Sequence, residues 1–379
     1  MKVVGIICEY NPFHEGHAYL LEQAKKVTGA DYAVCIMNGD FMQRGEPAVC
    51  NKYARTKAAL AGGADMVFEL PVRFGLSSAG DFAAGGVLAL QALGFVTDIC
   101  FGSECGDLAL LQKTADILFQ ETDSYTDSLK AALKSGQSYP AAQQAALNAI
   151  SHCPENLLDK PNNVLGIQYC LALAKYSSGI IPHTIRRLGQ GYHDDGSTDA
   201  AEYPSATARR KEIYESGEPH LTLNDFSDVI GYALREHENL SQYKDISPDL
   251  ADRIKSLLDN YSTADTFVSQ CQSKNYTAGR IRRSMLQCLL GLKETEDSMP
   301  YLRLLGMKKE AGALLQKETH PASFHILSRL AVDIKTLSPA DAALFRQDLL
   351  AADLYRQIWC RKYNTTLPNE FQHSPVLSE

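Results

Sequence analysis

Between residue 2 and about residue 190 the chain alternates short apolar runs with longer stretches whose apolar positions recur every three or four residues. The runs KVVGIIC, DYAVCIM, ADMVFEL, VTDICFG and GIIPHTIRRL each predict a strand, and GHAYLLEQAKKV, KYARTKAALAGG and SAGDFAAGGVLALQALG between them predict helices. Strands apolar on both faces and separated by helices predict an α/β fold with a doubly wound parallel sheet. In such a sheet the ligand lies beyond the carboxyl ends of the strands. The polar, glycine-bearing segments obey that rule: EYNPFHEGH follows the first run, NGDFMQRGEP the second and GSECGD the fourth.

After about residue 218 the strand-like runs stop. LTLNDFSDVIGYALREHE, SPDLADRIKSLLDNY, TADTFVSQCQS, GRIRRSMLQCLLGL and SPADAALFRQDLLAADLYRQIWCRKY read as amphipathic helices, with Ser247, Thr263 and Ser338 as cap residues. The chain, at 379 residues, is longer than one core usually serves. The expected division is an α/β domain over 1–217 and an α-helical domain over 218–379. The last stretch, TLPNEFQHSPVLSE, reads as a loosely ordered tail.

Composition narrows the class. With 45% hydrophobic and 22% charged residues the chain is a folded globular one. No leader pattern and no long apolar window occurs, which predicts a soluble cytoplasmic protein without membrane contact. Ten cysteines stand singly, with no C-x-x-C pair, the usage of buried thiols and not of a disulfide framework or zinc site. The net charge of −8 argues against nonspecific nucleic-acid binding and leaves room for a local basic face.

The segment GIICEYNPFHEGHAYL carries the first candidate chemistry. A helix opening near His14 or Glu15 would turn its first N–H groups toward the strand end, where they and the helix dipole attract anions. Gly16 allows a ligand to approach the backbone. His14 and His17, three apart, share one side of the first turn and can donate to phosphate oxygens as charge builds at phosphorus. On its own H-x-G-H is most often a surface turn. Its place after the first strand makes it a nucleotide phosphate cradle, whereas a metal reading lacks further ligands.

The same segment resembles the H-x-G-H signature of the nucleotidyltransferase superfamily, whose members direct attack on the α-phosphate of ATP. A later stretch, PSATARRKEI, is similar to that superfamily's S-S-T-x-I-R signature through Ser205, Thr207 and Arg210, with Ala206 and Arg209 as departures. Further along, NGDFMQRGEP, GADMVFELP, FGSECGD, PNNVLGIQY, RRLGQGYHD and RIRR together resemble the tRNA(Met) cytidine acetate ligase family. That resemblance implies a Rossmann-like nucleotidyltransferase domain followed by a helical, tRNA-binding one. It implies ATP and acetate as substrates, an acetyl-adenylate intermediate and the wobble cytidine of elongator tRNA(Met) as acceptor. Mg2+ is expected to assist the departing pyrophosphate, and no obligate protein partner is evident in the sequence. The resemblance further implies ATP contacts along Ile7, Cys8, Glu9, Tyr10, Asn11, Pro12, Phe13, His14, Glu15, Gly16, His17, Ala18, Tyr19 and Leu20, and at Gly102, Asn162 and Arg187.

Other residues divide between bland and chemical readings. Asp40, with Gln43 and Arg44, is either a solvated loop charge or a carboxylate beside the reacting centre that positions the cytosine amine or takes its proton. Arg44 is a candidate to hold acetate, and Thr207 and Arg210 to hold phosphate. Gly102 and Gly106 permit close backbone approach, while Glu104 is expected to face solvent. Asn162 or Asn163 caps a helix, and the family pattern favours Asn162 for the nucleotide. Consecutive strand residues face opposite ways, so only one of Arg186 and Arg187 reaches it, and the family position matches Arg187. Arg280, Arg282, Arg283, Lys308 and Lys309 read singly as solvated charges and, beside an ATP site, as candidate tRNA phosphate contacts. Three rival functions stay open: a ligase that acetylates a protein-bound thiol, an adenylyltransferase that makes a dinucleotide, and a noncatalytic ATP-sensing or RNA-binding adaptor.

Overall fold

All five apolar runs of the first half form strands: β1 (Val3–Cys8), β2 (Tyr32–Asn38), β3 (Met66–Leu70), β4 (Asp98–Ser103) and β5 (Ile181–Arg186). The computed structural model describes residues 1–187 and 206–379, apart from 138, 152, 155, 317–320 and 322. The five strands pair in parallel in the order β5-β4-β1-β2-β3. Alternate side chains enter different cores. Val3, Ile7, Val34, Ile36 and Phe68 meet the helices Ala79–Leu93, Leu108–Gln120 and Pro161–Lys175; Val4, Ile6, Cys35, Met37 and Val67 meet Glu15–Thr28 and Lys52–Ala61. Helices therefore cover both faces, as the doubly wound reading requires.

From β1 the chain builds outward to β2 and β3 on one side and to β4 and β5 on the other. The order reverses between β1 and β4, so the crevice at their carboxyl ends is the topological switch point. β1 leads directly into the two histidines, and β4 carries Gly102.

The second half is not free of strands, which corrects the sequence reading. β6 (Tyr301–Lys308) pairs antiparallel with β3, from Met66 opposite Met307 to Glu69 opposite Arg303. β7 (His325–Leu327) and β8 (Val376–Ser378) join the other side of β6. The run Tyr301–Met307 is buried along almost its whole length, and a run apolar on both faces has no period that separates it from a helical turn. Residues expected as a loose tail are also fixed. Glu370 is buried, and the His373 ring stacks 3.7 Å from that of Tyr53.

The five amphipathic stretches are helical, at Ser227–Glu236, Pro248–Leu257, Ala264–Cys271, Ala278–Leu290 and Pro339–Tyr363. Ser247, Thr263 and Ser338 each accept the N–H three residues on, as their sequence positions predict. Their common core also takes in Phe41, Met42, Ala48, Val72 and Leu76, so this helical layer packs directly on the β2 and β3 ends. No helix among the described residues is long and apolar enough to cross a membrane, and all ten cysteines are free thiols.

Under the β2 and β3 ends lies a buried ionic cluster. Lys52, 1% exposed, holds Glu69 at 2.8 and 2.9 Å and Glu370 at 2.8 Å. Arg303 pairs with Glu370 from the other side, and Arg55 and Asp40 complete the group. Three cations thus face three carboxylates, the compensation that buried charge requires.

Candidate active site

His14 is the N-cap of the Glu15–Thr28 helix. Its Nδ1 accepts the Gly16 N–H at 3.1 Å, and the His17 Nδ1 accepts the His14 N–H at 3.3 Å, a reciprocal capping box built from two imidazoles. The rings stack, 3.7 Å apart and 26° from parallel. Tyr10, whose φ is +50°, and Phe13 pack against His17, with ring centroids 4.8 and 5.7 Å away. Burial, reinforced by the charges of Arg187 and Arg209, lowers the His14 pKa to about 4. Burial, His14 and Arg187 lower that of His17 well below the usual value. Both rings are therefore neutral near pH 7. With each Nδ1 accepting, the proton sits on Nε2, and both rings offer an Nε2–H donor. The His14 Nε2 is buried and has no partner among the described residues.

These bonds limit what the turn can offer an anion. The Gly16 N–H is taken by His14 Nδ1, and those of His17 and Ala18 by the His14 carbonyl at 2.9 and 3.3 Å. Imidazole N–H groups, more than backbone amides, are what the turn presents.

The two signatures meet. Arg210, in the helix Ala206–Ser216, donates to the Asn11 carbonyl at 2.9 Å and to Thr207 Oγ1 at 3.1 Å. The neighbouring Arg209, a departure from the signature, is close enough for its charge to act on His14. Ser205 and the stretch Leu188–Asp194 lie outside the described residues.

Across the crevice, Gly102 faces Arg187. A Cβ on Gly102 would lie 3.1 Å from Arg187 Cγ, so glycine makes room for that side chain. A Cβ on Gly106, at φ +64°, would instead strike Arg186 at 2.7 Å. The two arginines thus part as strand alternation predicts, with Arg187 toward the histidines and Arg186 toward the 104–107 turn.

Glu104, expected in solvent, caps the Pro161–Lys175 helix. Its carboxylate accepts from the Asn162 N–H at 3.3 Å, Asn162 Nδ2 at 2.6 Å and the Asn163 N–H at 2.8 Å. Asn163 is 3% exposed, and its Oδ1 accepts from Glu104 and Cys105 N–H, both at 3.0 Å. Asn163 is thereby committed to the turn, whereas Asn162 is half-buried and its Nδ2 is held by Glu104.

The loop after β2 divides. Asp40 is 6% exposed; its Oδ1 accepts the Lys52 N–H at 2.9 Å and lies 3.8 Å from Arg55. Burial raises its pKa against the pull of Lys52 and Arg55. Arg44 is exposed at the loop tip. Gln43 turns back to the site, its N–H donating to Glu9 Oε1 at 2.7 Å and its Nε2 to the Ser77 carbonyl at 3.0 Å. Gly45, at φ +78°, lies so close to the helix Ala278–Leu290 that a Cβ would come within 2.5 Å of the Arg283 backbone.

The basic residues of the second half fall in two places. Arg282 pairs with Glu46 at 2.7 Å and Asp265 at 3.5 Å, Arg283 with Asp245 at 2.8 Å, and Arg280 donates to the Asp245 carbonyl at 3.1 Å. Arg282, through Glu46, ties the helix to the loop after β2, whereas the contacts with Asp245 and Asp265 stay within the helical layer. Lys308 ends β6 and Lys309 follows it; because β6 runs against β3, both sit toward the amino-terminal ends of the parallel strands, the end of the sheet opposite the histidines. Lys308 pairs with Asp65 at 3.2 Å and Lys309 with Glu379 at 3.5 Å.

Sequence reasoning missed the buried cations. Arg55 donates to the carbonyls of Glu9 at 2.7 Å, Asn38 at 3.0 Å and Gly39, and so fixes the ends of β1 and β2. The available signal was Lys52 and Arg55, three apart, on the same face of their helix as Ala59.

Comparison with known proteins gives a consistent picture. The model of the HIGH nucleotidyl transferase family matches residues 1–222 and 214–370. The tRNA(Met) cytidine acetate ligase of Acetivibrio thermocellus is 36% identical, with 96% of each chain covered, and that of Fervidobacterium nodosum is 35% identical over 99% of each. Among solved structures, Thermotoga maritima TmcAL bound with alpha-thio ATP superposes with a TM-score of 0.86 at 29% identity, covering 100% of this chain and 99% of that one.

Proposed function

The chain belongs to the tRNA(Met) cytidine acetate ligases of the HIGH nucleotidyl transferase family, and we propose that it performs their ATP-dependent acetylation of a tRNA cytidine. The acceptor is the wobble cytidine of elongator tRNA(Met), and the product is N4-acetylcytidine. The observation that carries this reading is the hydrogen bond from Arg210 to the Asn11 carbonyl, which joins two distant signatures into one nucleotide site.

Acetate attacks the α-phosphorus, pyrophosphate departs, and the cytidine amine then takes the acetyl group from the adenylate. His14 and His17 donate Nε2–H to the phosphate oxygens as charge develops, and Arg187 and Arg210 offset the charge of the leaving pyrophosphate. Gly102 and Asn162 border the nucleoside, Thr207 a phosphate, and Arg44 the acetate. Asp40, enclosed by Lys52 and Arg55, serves as a positioning residue for the loop that carries Arg44. Among the described residues no group of three His, Cys, Asp or Glu side chains is arranged to hold a metal. Mg2+, if it accompanies the nucleotide, would be held largely by the phosphates and would screen their charge. Residues 1–217 form the ATP-binding unit. The arginines of the helix Ala278–Leu290 face the RNA in the cytoplasm, with no other protein required.

The test is to incubate the protein with ATP, labelled acetate and total tRNA, digest the RNA and separate its nucleosides. Labelled acetylcytidine is the expected product. Label on a protein thiol, a dinucleotide, or no acetate-dependent pyrophosphate release would each overturn the reading in favour of a different one.

A further inference from the structure

We infer that Glu9, the first residue beyond β1, is the base that takes the proton from the attacking cytidine amine. The inference rests on the acetyl-transfer reading above. In that step a bond forms between the amine nitrogen and the acetyl carbon, and the bond from that carbon to the AMP oxygen breaks. The electron pair leaves on AMP, and one proton must leave the nitrogen. A neutral exocyclic amine of a cytosine is a weak nucleophile, so a carboxylate within hydrogen-bond reach accelerates its attack.

The carboxylates near the switch point differ in what they have left to offer. Both oxygens of Glu104 are spent on the Pro161–Lys175 helix. Asp40 is enclosed, with Oδ1 on the Lys52 N–H and Oδ2 4.0 Å from Lys52 Nζ. Glu15 is exposed on the outside of the first turn. Glu9 is half-buried at the strand end itself. Its Oε1 is held by the Gln43 N–H at 2.7 Å and Asn38 Nδ2 at 3.4 Å, while Oε2 has no hydrogen-bond donor among the described residues. One oxygen fixes the group and the other is left for a proton.

The surroundings suit the task. Burial raises the pKa of Glu9, and the charges of Arg44, Arg210 and Arg55 partly offset that rise. A carboxylate raised toward the working pH is a better proton acceptor than an ordinary one. Two of those arginines are the proposed acetate and phosphate contacts, so Glu9 lies beside the mixed anhydride they would hold. Once acetate has become an acyl adenylate its own charge is gone. Glu9 then faces a neutral carbonyl and an incoming amine.

Glu9→Gln keeps an acceptor for the Gln43 N–H and removes the base. Acetate-dependent ATP–pyrophosphate exchange and single-turnover acetyl transfer to tRNA are measured for the parent, Glu9→Gln and Asp40→Asn, with thermal melts to confirm folding. In Glu9→Gln, transfer is expected to fall about 100- to 1,000-fold and exchange by less than about tenfold. The parent's transfer rate should also rise with pH to a plateau, a limb the variant lacks. The inference is overturned if Glu9→Gln transfers within about threefold of the parent, if both half-reactions fall equally, or if Asp40→Asn alone removes the limb. A parent that makes no acetylcytidine would instead sink the transfer reading itself.

Discussion

Two neutral imidazoles serve a phosphate differently from two cations. Because Gly16 N–H and His14 N–H occupy the two Nδ1 atoms, His14 and His17 would meet a nucleotide in the proposed site as Nε2–H donors, with the formal positive charge supplied by Arg187 and Arg210. That division avoids the cost of burying charged rings, and it makes Arg187 responsible for part of the low pKa of His14, about 4. Arg187→Ala is therefore expected to move the His14 titration upward, toward the ordinary histidine range, with the ring signal followed by NMR against pH. An unchanged midpoint would show that Arg187 does not face the ring. His14 and His17 were legible in the sequence because their spacing and their place after a strand are both local properties. Their tautomer was not, since it depends on where two backbone N–H groups point. For the same reason Glu104 could not be read as a cap: its partners lie 58 and 59 residues away.

At the level of elements, local pattern served where the period was clean. The five parallel strands and the caps at Ser247, Thr263 and Ser338 are all where alternation and cap chemistry put them. β6 escaped because its pairing with β3 spans more than 230 residues of chain, which no local window contains. Its union with the helix Pro339–Tyr363 depends on Asp348. One carboxylate oxygen accepts the Val72 N–H at 2.7 Å and the other the Tyr301 hydroxyl at 2.7 Å. Burial, with Glu69 nearby, raises the Asp348 pKa from 3.8 to about 7. The folded chain thus keeps a proton that the unfolded chain releases. The stability this confers is complete below 3.8 and is lost as pH rises through about 7. Thermal melts of the parent should weaken between about pH 5 and about pH 8, by something on the order of 1 kcal/mol more than those of Asp348→Asn. Parallel curves for the two proteins would show that Asp348 does not titrate in this range.

For the whole molecule, the helical layer is bound to the catalytic sheet by shared core and shared charge. Arg282 grips Glu46 in the loop that carries Gln43 and Arg283 grips Asp245, whereas Lys308 and Lys309 lie at the opposite end of the strands. Replacing both arginines with alanine should weaken tRNA binding and lower its salt slope by about two, and also slow acetate activation through the loop. The lysine pair should change neither, and a salt slope lowered by the lysine change would place RNA at that opposite end. This segregation of basic residues was invisible in sequence, where RIRR and MKKE look alike. The tail has a different consequence. A chain stopped before Glu370 would keep every candidate site residue, yet Lys52 and Arg303 would be buried without that carboxylate. Leaving a buried ion without its partner costs about 3–5 kcal/mol, a large share of the 5–15 kcal/mol that holds a typical domain together. A chain released early is therefore expected to carry every candidate site residue and yet to melt well below the full chain.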